Sequence, residues 1–423
     1  MLLPRTLFVL AEFPVYDMAR FKIWEQPRKE KIMSRYTTKV SYYDDFHCIG
    51  GECSFTCCKE WKISVDEDTR KTWMHKKIPA GTPADCLPKH VSPSAPLHSL
   101  LTSLDGQTII ELNDAMCCPM LNQDKLCRVV LSYGEGCLSE TCHIFPREIH
   151  HFKDRTEYAL VSCCPAVIDF WHNASSVHFI GDAPDPEEED AELRALRDLC
   201  LSVFSSGKYE NAILLQTAFY ILHDIHDRKN AAAAPSISDY KDAAFLQKLQ
   251  DTLANLPESP LDSLIEQNEL FLDITENYRA EHRYHTYLDP LCKEAESLTE
   301  KAPELPELEA FRKIISPYTT LLRNYLIAEG FTSLLIPDTE FQDMLMMLQW
   351  MAIEYAMIHH AVYLWWRIQG KPSEIRYEDV RDRMVLMSRI TGYDQADIED
   401  YLCECFEDPV WDFGYFQLLC GNL

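Results

Sequence analysis

The chain has 423 residues, of which 47% are hydrophobic, and this length exceeds the size at which one core usually stops growing. We therefore expect two domains. The formal net charge of −27 provides no basic surface for a phosphate backbone, so we predict no nucleic-acid partner. An acidic surface suits a cationic ligand such as a lysine side chain, although acidic surfaces also serve solubility.

Residues 1–34 are interpreted as an N-terminal extension that carries no motif. The apolar run at its start is interrupted by Glu12 and Pro14 and lacks a small-residue cleavage site, which is unlike a secretory signal peptide. We expect a cytoplasmic protein.

Residues 35–180 are predicted to form a loop-rich, cysteine-rich module that binds a metal cluster. Short apolar runs alternate there with Gly, Pro, Asn and Asp, a pattern typical of short helices or strands joined by loops. Twelve of the 17 cysteines lie between Cys48 and Cys164, so they are not scattered core residues.

Residues 187–423 are predicted to form an all-α domain, which makes the whole fold mainly α. Pro184 and Pro186 interrupt the preceding structure, and the acidic run after them suits a helix N-terminus. Almost every later segment repeats its apolar residues with a period near 3.6.

The most apolar segment, Met344–Trp366, is long enough to suggest a membrane helix. Gln349, Glu354, His359 and His360 interrupt it too often for a bilayer core, so it is interpreted as a buried helix. We predict no membrane partner. The two histidines are adjacent rather than four residues apart, which is typical of helix-face histidines rather than zinc ligands.

Three explanations compete for the cysteines. A disulfide framework is disfavoured because the chain has no secretion signal and is too large to need covalent staples. Structural zinc usually uses two paired knuckles, whereas "CIGGECSFTCCKEW" (residues 48–61) has the spacing C-x4-C-x3-C-C and no second clean knuckle follows. An iron–sulfur cluster accepts thiolates from several distant loops. Spacing favours the cluster and leaves zinc open.

The order of the cysteine elements resembles that of the flagellin lysine-N-methylase family, which carries the cysteine-rich module of metal-chelating proteins. A weaker similarity extends into the helical half. The elements that carry the resemblance are Phe46–Asp66, Cys118–Leu121, Leu126–Cys127, Leu138–Arg147, Ser162–Pro165 and Leu321–Ile327.

The resemblance implies methyl transfer from S-adenosylmethionine to lysine ε-amines of flagellin, in a protein that carries a four-iron, four-sulfur (4Fe–4S) cluster. A nucleotide-binding Rossmann fold is not supported, because no GxGxxG lies between a strand and a helix. The opening cysteines also depart from the C-x3-C-x2-C spacing of radical S-adenosylmethionine enzymes. The sequence does not indicate an oligomeric state.

Cysteines of the matched elements are the predicted cluster ligands. Adjacent cysteines on an extended segment point in opposite directions, so each doublet is expected to supply one ligand. The candidates are Cys53, Cys57, Cys58, Cys118, Cys127 and Cys142, with Cys48 and Cys164 less favoured.

The resemblance also indicates candidate catalytic and cofactor-binding residues. Tyr325 and Asp66 are candidates to take the proton of the lysine amine, with structural hydrogen bonding as the alternative role. Asn324 lies on the same helix as Tyr325 and is a candidate cofactor-binding residue. Trp61 is expected to cover the cluster or to stack on the cofactor. Arg147 is expected to hold the cofactor carboxylate or the cluster charge, with an ordinary ion pair as the alternative.

Two functions from different classes follow. The first is a protein-lysine methyltransferase. The second is a non-enzymatic metal-chelating or partner-binding protein with a structural zinc or cluster. For the enzyme we expect the lysine and the cofactor to meet at the junction between the cysteine-rich module and the helical domain, because domain interfaces are common places for small-molecule pockets.

Overall fold

A computed structural model of the chain describes residues 36–104, 106–182, 190–230, 237–392 and 395–421. The N-terminal extension predicted for residues 1–34 lies outside these residues, as does the centre of the predicted boundary between 180 and 187. That domain division stays a prediction.

The cysteine-rich module contains short strands that form a four-stranded sheet and a separate hairpin. In the sheet the order is β4–β5–β1–β6, with β1 parallel to β5 and antiparallel to β6, and β2 pairs with β3 in the hairpin. The strands are β1 (Tyr36–Val40), β2 (Leu101–Leu104), β3 (Gln107–Ile110), β4 (Arg147–His151), β5 (Arg155–Leu160) and β6 (Phe179–Gly181).

One end of this sheet requires glycine. Gly181 has a φ of +136°, and a Cβ atom at this position would lie 1.9 Å from the carbonyl oxygen of Thr37. Because no L side chain fits so close to a neighbouring backbone, the pairing of β6 with β1 depends on this residue.

The module also contains short α-helices and a small hydrophobic core of its own. That satellite core gathers buried residues such as Ile63, Trp73, Leu97 and Val129 beneath the cysteine loops. The helices are α1 (Glu67–Met74), α2 (Arg128–Tyr133), α3 (Glu140–Ile144) and α4 (Pro165–Asn173), and single 3-10 turns occur at Gly50–Glu52, Ala84–Cys86, Leu97–Leu100 and Glu135–Cys137.

The described residues beyond 190 are helical, as their apolar period predicts, and the mainly α fold class is confirmed. A 3-10 turn at Ser316–Tyr318 precedes α12. The helices are α5 (Ala191–Phe204), α6 (Asn211–Asn230), α7 (Ile237–Tyr240), α8 (Ala243–Leu253), α9 (Pro260–Ala280), α10 (His285–Glu300), α11 (Leu305–Ile315), α12 (Thr319–Ser333), α13 (Phe341–Ile368), α14 (Tyr377–Ile390), α15 (Gln395–Cys405) and α16 (Phe413–Cys420).

Helix α13 is the centre of the helical domain. A reciprocal capping box between Glu340 and Asp343 starts it, and it packs against α6, α9, α10, α12, α14, α15 and α16. The predicted buried helix is thereby confirmed, since nearly every side chain from Met344 to Leu364 is buried. Among the described helices, none combines the length and the apolar character that a membrane span requires.

The main hydrophobic core runs from the sheet into the helical domain without a break. Val40 of β1, Leu160 of β5 and Trp171 of α4 belong to the same buried cluster as the core of α12 and α13. Helices α12 and α14 both pack on α4. The sheet and α4 therefore form a continuous contact between the cysteine loops and the helical domain, and the candidate site lies along this contact.

Buried ion pairs strengthen the same junction. Arg155 of β5 binds both Glu157 and Asp190, which precedes α5, and Arg197 of α5 binds Glu157 from the other side. Burial opposes ionisation of Glu157, but the charges of Arg197 and Arg155 outweigh it and hold the pKa of this carboxyl below its ordinary value.

Candidate functional site

The loops of the cysteine-rich module bring together thiols from distant parts of the chain. The backbone N–H of Cys118 donates to the carbonyl oxygen of Cys58 at 2.8 Å, and a β-bridge pairs Leu121 with Cys127. Cys142 lies on α3, where its N–H donates to the side chain of Ser139, the N-cap. Local backbone pairing and capping thus position three separate loops around one point.

Five thiols influence one another's ionisation and are called the thiol cluster from here on. The pKa of Cys58 is raised by Cys57, by burial, and by the nearby Cys118 and Cys142. Burial is also the main reason why the pKa of Cys142 is raised to about 12, with Cys57 and Cys127 contributing. The cluster comprises Cys57, Cys58, Cys118, Cys127 and Cys142.

Three other predicted ligands lie outside the thiol cluster. Burial is the main cause of the raised pKa values of Cys53 and Cys164. The thiols that contribute are Cys57 and Cys48 for Cys53, and Cys57 and Cys53 for Cys164. Cys48 is exposed. The structure thus places five of the six favoured candidates together and leaves Cys53 beside them.

The thiol cluster offers soft sulfur ligands from several loops. In the described part of the chain, no three histidine, cysteine or carboxylate side chains are arranged to hold a metal ion. The thiolates around an iron–sulfur cluster bind separate iron atoms, so they stand further apart than the ligands of one ion. All 17 cysteines are free thiols. The thiol cluster, in which Cys118 is buried and the other four cysteines are partly buried, supplies the residue type and the separate loops that such a group uses.

An arginine that the sequence analysis did not identify connects the thiol cluster to the helical domain. Arg389, near the end of α14, is 6% exposed and donates hydrogen bonds to the carbonyl oxygens of Phe55 (2.9 Å), Thr56 (3.2 Å) and Cys163 (3.1 Å). Its guanidinium also lies 4.3 Å from the ring centroid of Trp61. Because Phe55 and Thr56 directly precede Cys57, Arg389 holds the loop that presents the thiols.

The same contacts explain the buried position of Trp61. Its ring is 3% exposed and is covered by Arg389 on one side, with Phe145 edge-on at 5.1 Å. This packing is that of a core residue beside the cysteine loop. Stacking of Trp61 on a cofactor stays a prediction.

The side chain of Asp66 is occupied by capping. It accepts hydrogen bonds from the backbone N–H groups of Thr69 (2.9 Å) and Glu140 (3.0 Å) and thereby starts α1. Partial burial opposes its ionisation, but these hydrogen bonds prevail and lower its pKa. The geometry favours the structural alternative, since a carboxylate with a lowered pKa is a weak base.

Asn324 is also fully engaged. Its amide donates to the carbonyl oxygens of Trp171 and Ala174, both at 2.9 Å, and accepts from the N–H of Val177 at 3.1 Å. The side chain therefore satisfies the end of α4 and attaches it to α12. Arg147 lies over the rings of Tyr43 (5.7 Å) and Phe46 (5.2 Å), and its predicted role toward the cofactor or the cluster stays a prediction.

A cavity of about 430 Å³ lies at the junction of the module and the helical domain. Residues 148–163 of the module form one wall, and residues of α12, α13, α14 and α15 form the others. Its walls include neither Trp61 nor any other of the five residues predicted for catalysis or cofactor binding. The cavity lies at the predicted junction but is built from other side chains.

The cavity is strongly acidic. No lysine or arginine is found among the described residues of its wall, whereas five carboxylates are. These are Glu148, Glu329, Asp338, Glu354 and Glu399.

Two of these carboxylates form a coupled pair deep in the cavity. Burial, followed by the charge of Glu354, raises the pKa of Glu329 to about 8. Burial likewise raises the pKa of Glu354, against hydrogen bonds from Thr391 and Ser388 that lower it. Two carboxyl groups in one desolvated space resist carrying two negative charges, so the pair retains a proton near neutral pH.

Tyr325, predicted as a catalytic residue, lies behind this pair. Its hydroxyl is fully buried and interacts with the carboxylate of Glu354. Burial and the charges of Glu354 and Glu329 raise its pKa well above the ordinary value. The structure brings Tyr325 to the carboxylate pair, whereas Asp66 caps α1 and is not in the cavity wall.

Comparison with known proteins identifies the family to which the helical half belongs. Residues 197–419, slightly more than half of the chain, match the family described as FliB lysine N-methylase C-terminal domain. The chain belongs to this family. The FliB-type domain supplies α12, α13, α14 and α15, and hence every wall of the cavity except the one formed by the module. The resemblance found in the sequence is confirmed.

Relatives with similar sequences come from Salmonella. A lysine-N-methylase of Salmonella choleraesuis is 33% identical over 133 residues, and that of Salmonella typhimurium is 32% identical over 133 residues; each match covers 31% of this chain and 31% of the relative. The flagellar biosynthetic protein FliU of Salmonella muenchen is 34% identical over 131 residues, which is 31% of this chain and 73% of FliU. The match thus spans about a third of either lysine-N-methylase. No solved structure matches the chain.

Sequence reasoning missed the cavity carboxylates and Arg389. Glu354 was noted only because it interrupts an apolar run, and neither Glu329 nor Arg389 belongs to a matched element. A charged residue inside an otherwise apolar helix was the available signal, because such a residue is rarely buried without a partner or a function.

Proposed function

We propose that the protein transfers methyl groups from S-adenosylmethionine to lysine ε-amines of flagellin, in the cytoplasm. Membership of the FliB lysine N-methylase family supports lysine methylation as the reaction class. The name of the relative FliU, a flagellar biosynthetic protein, supports a flagellar substrate. S-adenosylmethionine is the sulfonium methyl donor that the sequence resemblance implies.

The observation that carries the proposal is the acidic cavity between the cysteine-rich module and the FliB-type domain. Its charge complements a lysine ammonium, and the carboxylates Glu329 and Glu354 lie among apolar side chains such as Met347 and Trp350. A desolvated acidic site of this kind attracts the cation and then favours its neutral amine, the form that accepts a methyl group.

The thiol cluster is the proposed site of the 4Fe–4S cluster. Cys118, Cys127 and Cys142 would each supply one thiolate, and either Cys57 or Cys58 would supply the fourth. When bound, such a cluster supplies an iron centre that ties the loops together. Arg389 would then hold the loop of Cys57 against the helical domain and place a positive charge near the thiolates.

The test is methyl transfer by the anaerobically purified protein. The protein is incubated with flagellin and S-adenosylmethionine labelled in the methyl group, and label on flagellin lysines is measured by mass spectrometry, with iron and zinc analysed in the same sample. We expect methylated lysine together with several iron atoms per chain. Stoichiometric zinc, with flagellin bound but unlabelled, would instead support the non-enzymatic binding function.

A further inference from the structure

We propose that Glu354 and Glu329 act as a pair that binds the ε-ammonium of the substrate lysine in the junction cavity and takes its proton before methyl transfer. This inference rests on the proposed function, because it assigns residues to the lysine methylation suggested there. It goes further by naming the groups that receive the lysine and the base that prepares it.

The cavity has the composition that a lysine side chain requires. Glu329 and Glu354 lie where they can receive the ammonium, while Met347, Trp350 and Ile398 provide apolar wall for the methylene stem. Lysine side chains commonly bury the stem along apolar surface and keep the charged head among polar groups. The described wall contains no lysine or arginine to neutralise the pair internally.

The lack of a positive charge beside the pair is the sign of a ligand. Buried carboxylates are normally paired with a cation, yet Glu354 is 6% exposed and the described cavity wall offers neither carboxylate a lysine or an arginine. A ligand ammonium in the cavity would supply this charge. Tyr325 lies behind the pair, outside the cavity wall, where its hydroxyl interacts with Glu354 and supports that carboxylate.

The two carboxylates are not equivalent, and the difference assigns their roles. Both oxygens of Glu354 accept a hydrogen bond, from Ser388 and Thr391, each at 2.7 Å. Glu329 accepts hydrogen bonds from Ser333 and, at 3.5 Å, from Ser162. Two short hydrogen bonds stabilise the anionic form of Glu354, so Glu354 is the proton acceptor and Glu329 holds the shared proton.

The proposed reaction conserves atoms, electrons and charge. The lysine ammonium transfers one proton to the carboxylate of Glu354, and the neutral nitrogen then attacks the methyl carbon of the sulfonium donor. A nitrogen–carbon bond forms as the carbon–sulfur bond breaks, and the electron pair of the broken bond remains on sulfur as a neutral thioether. The product nitrogen carries the positive charge that the sulfonium has lost. No oxidant or reductant is needed.

The proposal predicts a pH dependence. A fully protonated pair cannot accept the proton, so kcat/KM should fall as the pH decreases through the apparent pKa of the pair. The ionisable groups around the pair are Glu148 and His150 of β4, Cys163 after β5, Tyr325 of α12, Asp338 after α12 and Glu399 of α15, with Arg389 of α14 beyond Cys163.

The experiment compares Glu354→Gln and Glu329→Gln with Glu307→Gln, a control that removes a carboxylate paired with Arg367 and Lys371 elsewhere in the helical domain. Flagellin methylation is measured between pH 6 and pH 10. We expect kcat/KM to fall at least about 100-fold in Glu354→Gln, the usual effect of removing a positioned base. Glu329→Gln should remain active and shift the low-pH limb to lower pH, because the repelling neighbour is gone.

A binding measurement separates failure of this inference from failure of the proposed function. The probe is n-butylammonium, which carries the head and stem of lysine, with n-butanol as the uncharged control. The probe should raise the Tm of the wild type and of Glu307→Gln but not that of Glu354→Gln. Equal stabilisation of Glu354→Gln, or full methylation by this variant, would overturn the inference. Should the wild type fail to methylate flagellin, the Tm measurement alone would decide whether the carboxylate pair binds an ammonium group.

Discussion

Replacement of Arg389 by methionine tests whether the helical domain holds the cysteine loop. Methionine has a similar length and can still pack against the rings of Phe55 and Trp61, but it donates no hydrogen bond. The carbonyl oxygens of Phe55, Thr56 and Cys163 would each lose the donor that Arg389 provides. The variant therefore removes polar contacts while it keeps most of the packing.

The expected loss of stability follows from these contacts. Each buried carbonyl oxygen left without its donor costs about 1–3 kcal/mol, so the three together cost about 3 kcal/mol at the lower end. The lost attraction between the guanidinium and the two rings adds about 0.5–2 kcal/mol. Removal of a buried charge offsets part of this sum. We expect a net loss of about 3 kcal/mol in the free energy of unfolding, a large share of a typical domain's total.

The assay is urea unfolding followed by circular dichroism, together with the rate at which a thiol reagent labels Cys57 and Cys58. Arg389→Met should unfold at lower urea, and both thiols should react faster because their loop is released. Arg228→Met is the control, since Arg228 is exposed on α6 and pairs only with Asp224 among the described residues. An unchanged urea midpoint and unchanged labelling in Arg389→Met would refute this account of the junction.

Four further predictions concern single residues. Cys127→Ala should lower both iron content and methyl transfer, whereas Cys86→Ala, outside the thiol cluster, should change neither when both proteins are purified anaerobically. Asp66→Ala should lower the free energy of unfolding in urea by about 1 kcal/mol, because the helix cap is lost. A loss of methyl transfer by the folded Asp66→Ala protein would restore the catalytic assignment of Asp66. Tyr325→Phe should lower methyl transfer at unchanged iron content, because the hydroxyl beside the carboxylate pair is gone. Two arginines hold the folded pKa of Glu157 below the ordinary value of about 4.3. The ionised carboxylate therefore stabilises the fold above that pH, and this stabilisation is lost as the pH falls through the folded pKa. Glu157→Gln should flatten this acid dependence of Tm.

The helical domain was predictable from local patterns. The apolar period of about 3.6 residues and the helix-start signals appear within each segment, so a helix such as α13 requires little information from elsewhere. Its interruption by Gln349 and Glu354 also distinguished a buried helix from a membrane span. The four-stranded sheet was not predictable in this way, because β1 pairs with β5 across more than a hundred residues and with β6 at a position set by Gly181.

The candidate site shows the same division between what local sequence indicates and what the tertiary structure decides. The sequence by itself determined the family and the cysteines that are available as ligands, and it indicated Tyr325 as a candidate, because these are matters of residue type and order along the chain. Only the tertiary structure decided that Glu329 and Glu354 face one cavity and that Arg389 reaches the loop of Cys57. These contacts join residues that lie up to 334 positions apart. Their chemistry arises from desolvation and from a neighbouring charge, and neither is a property of local sequence.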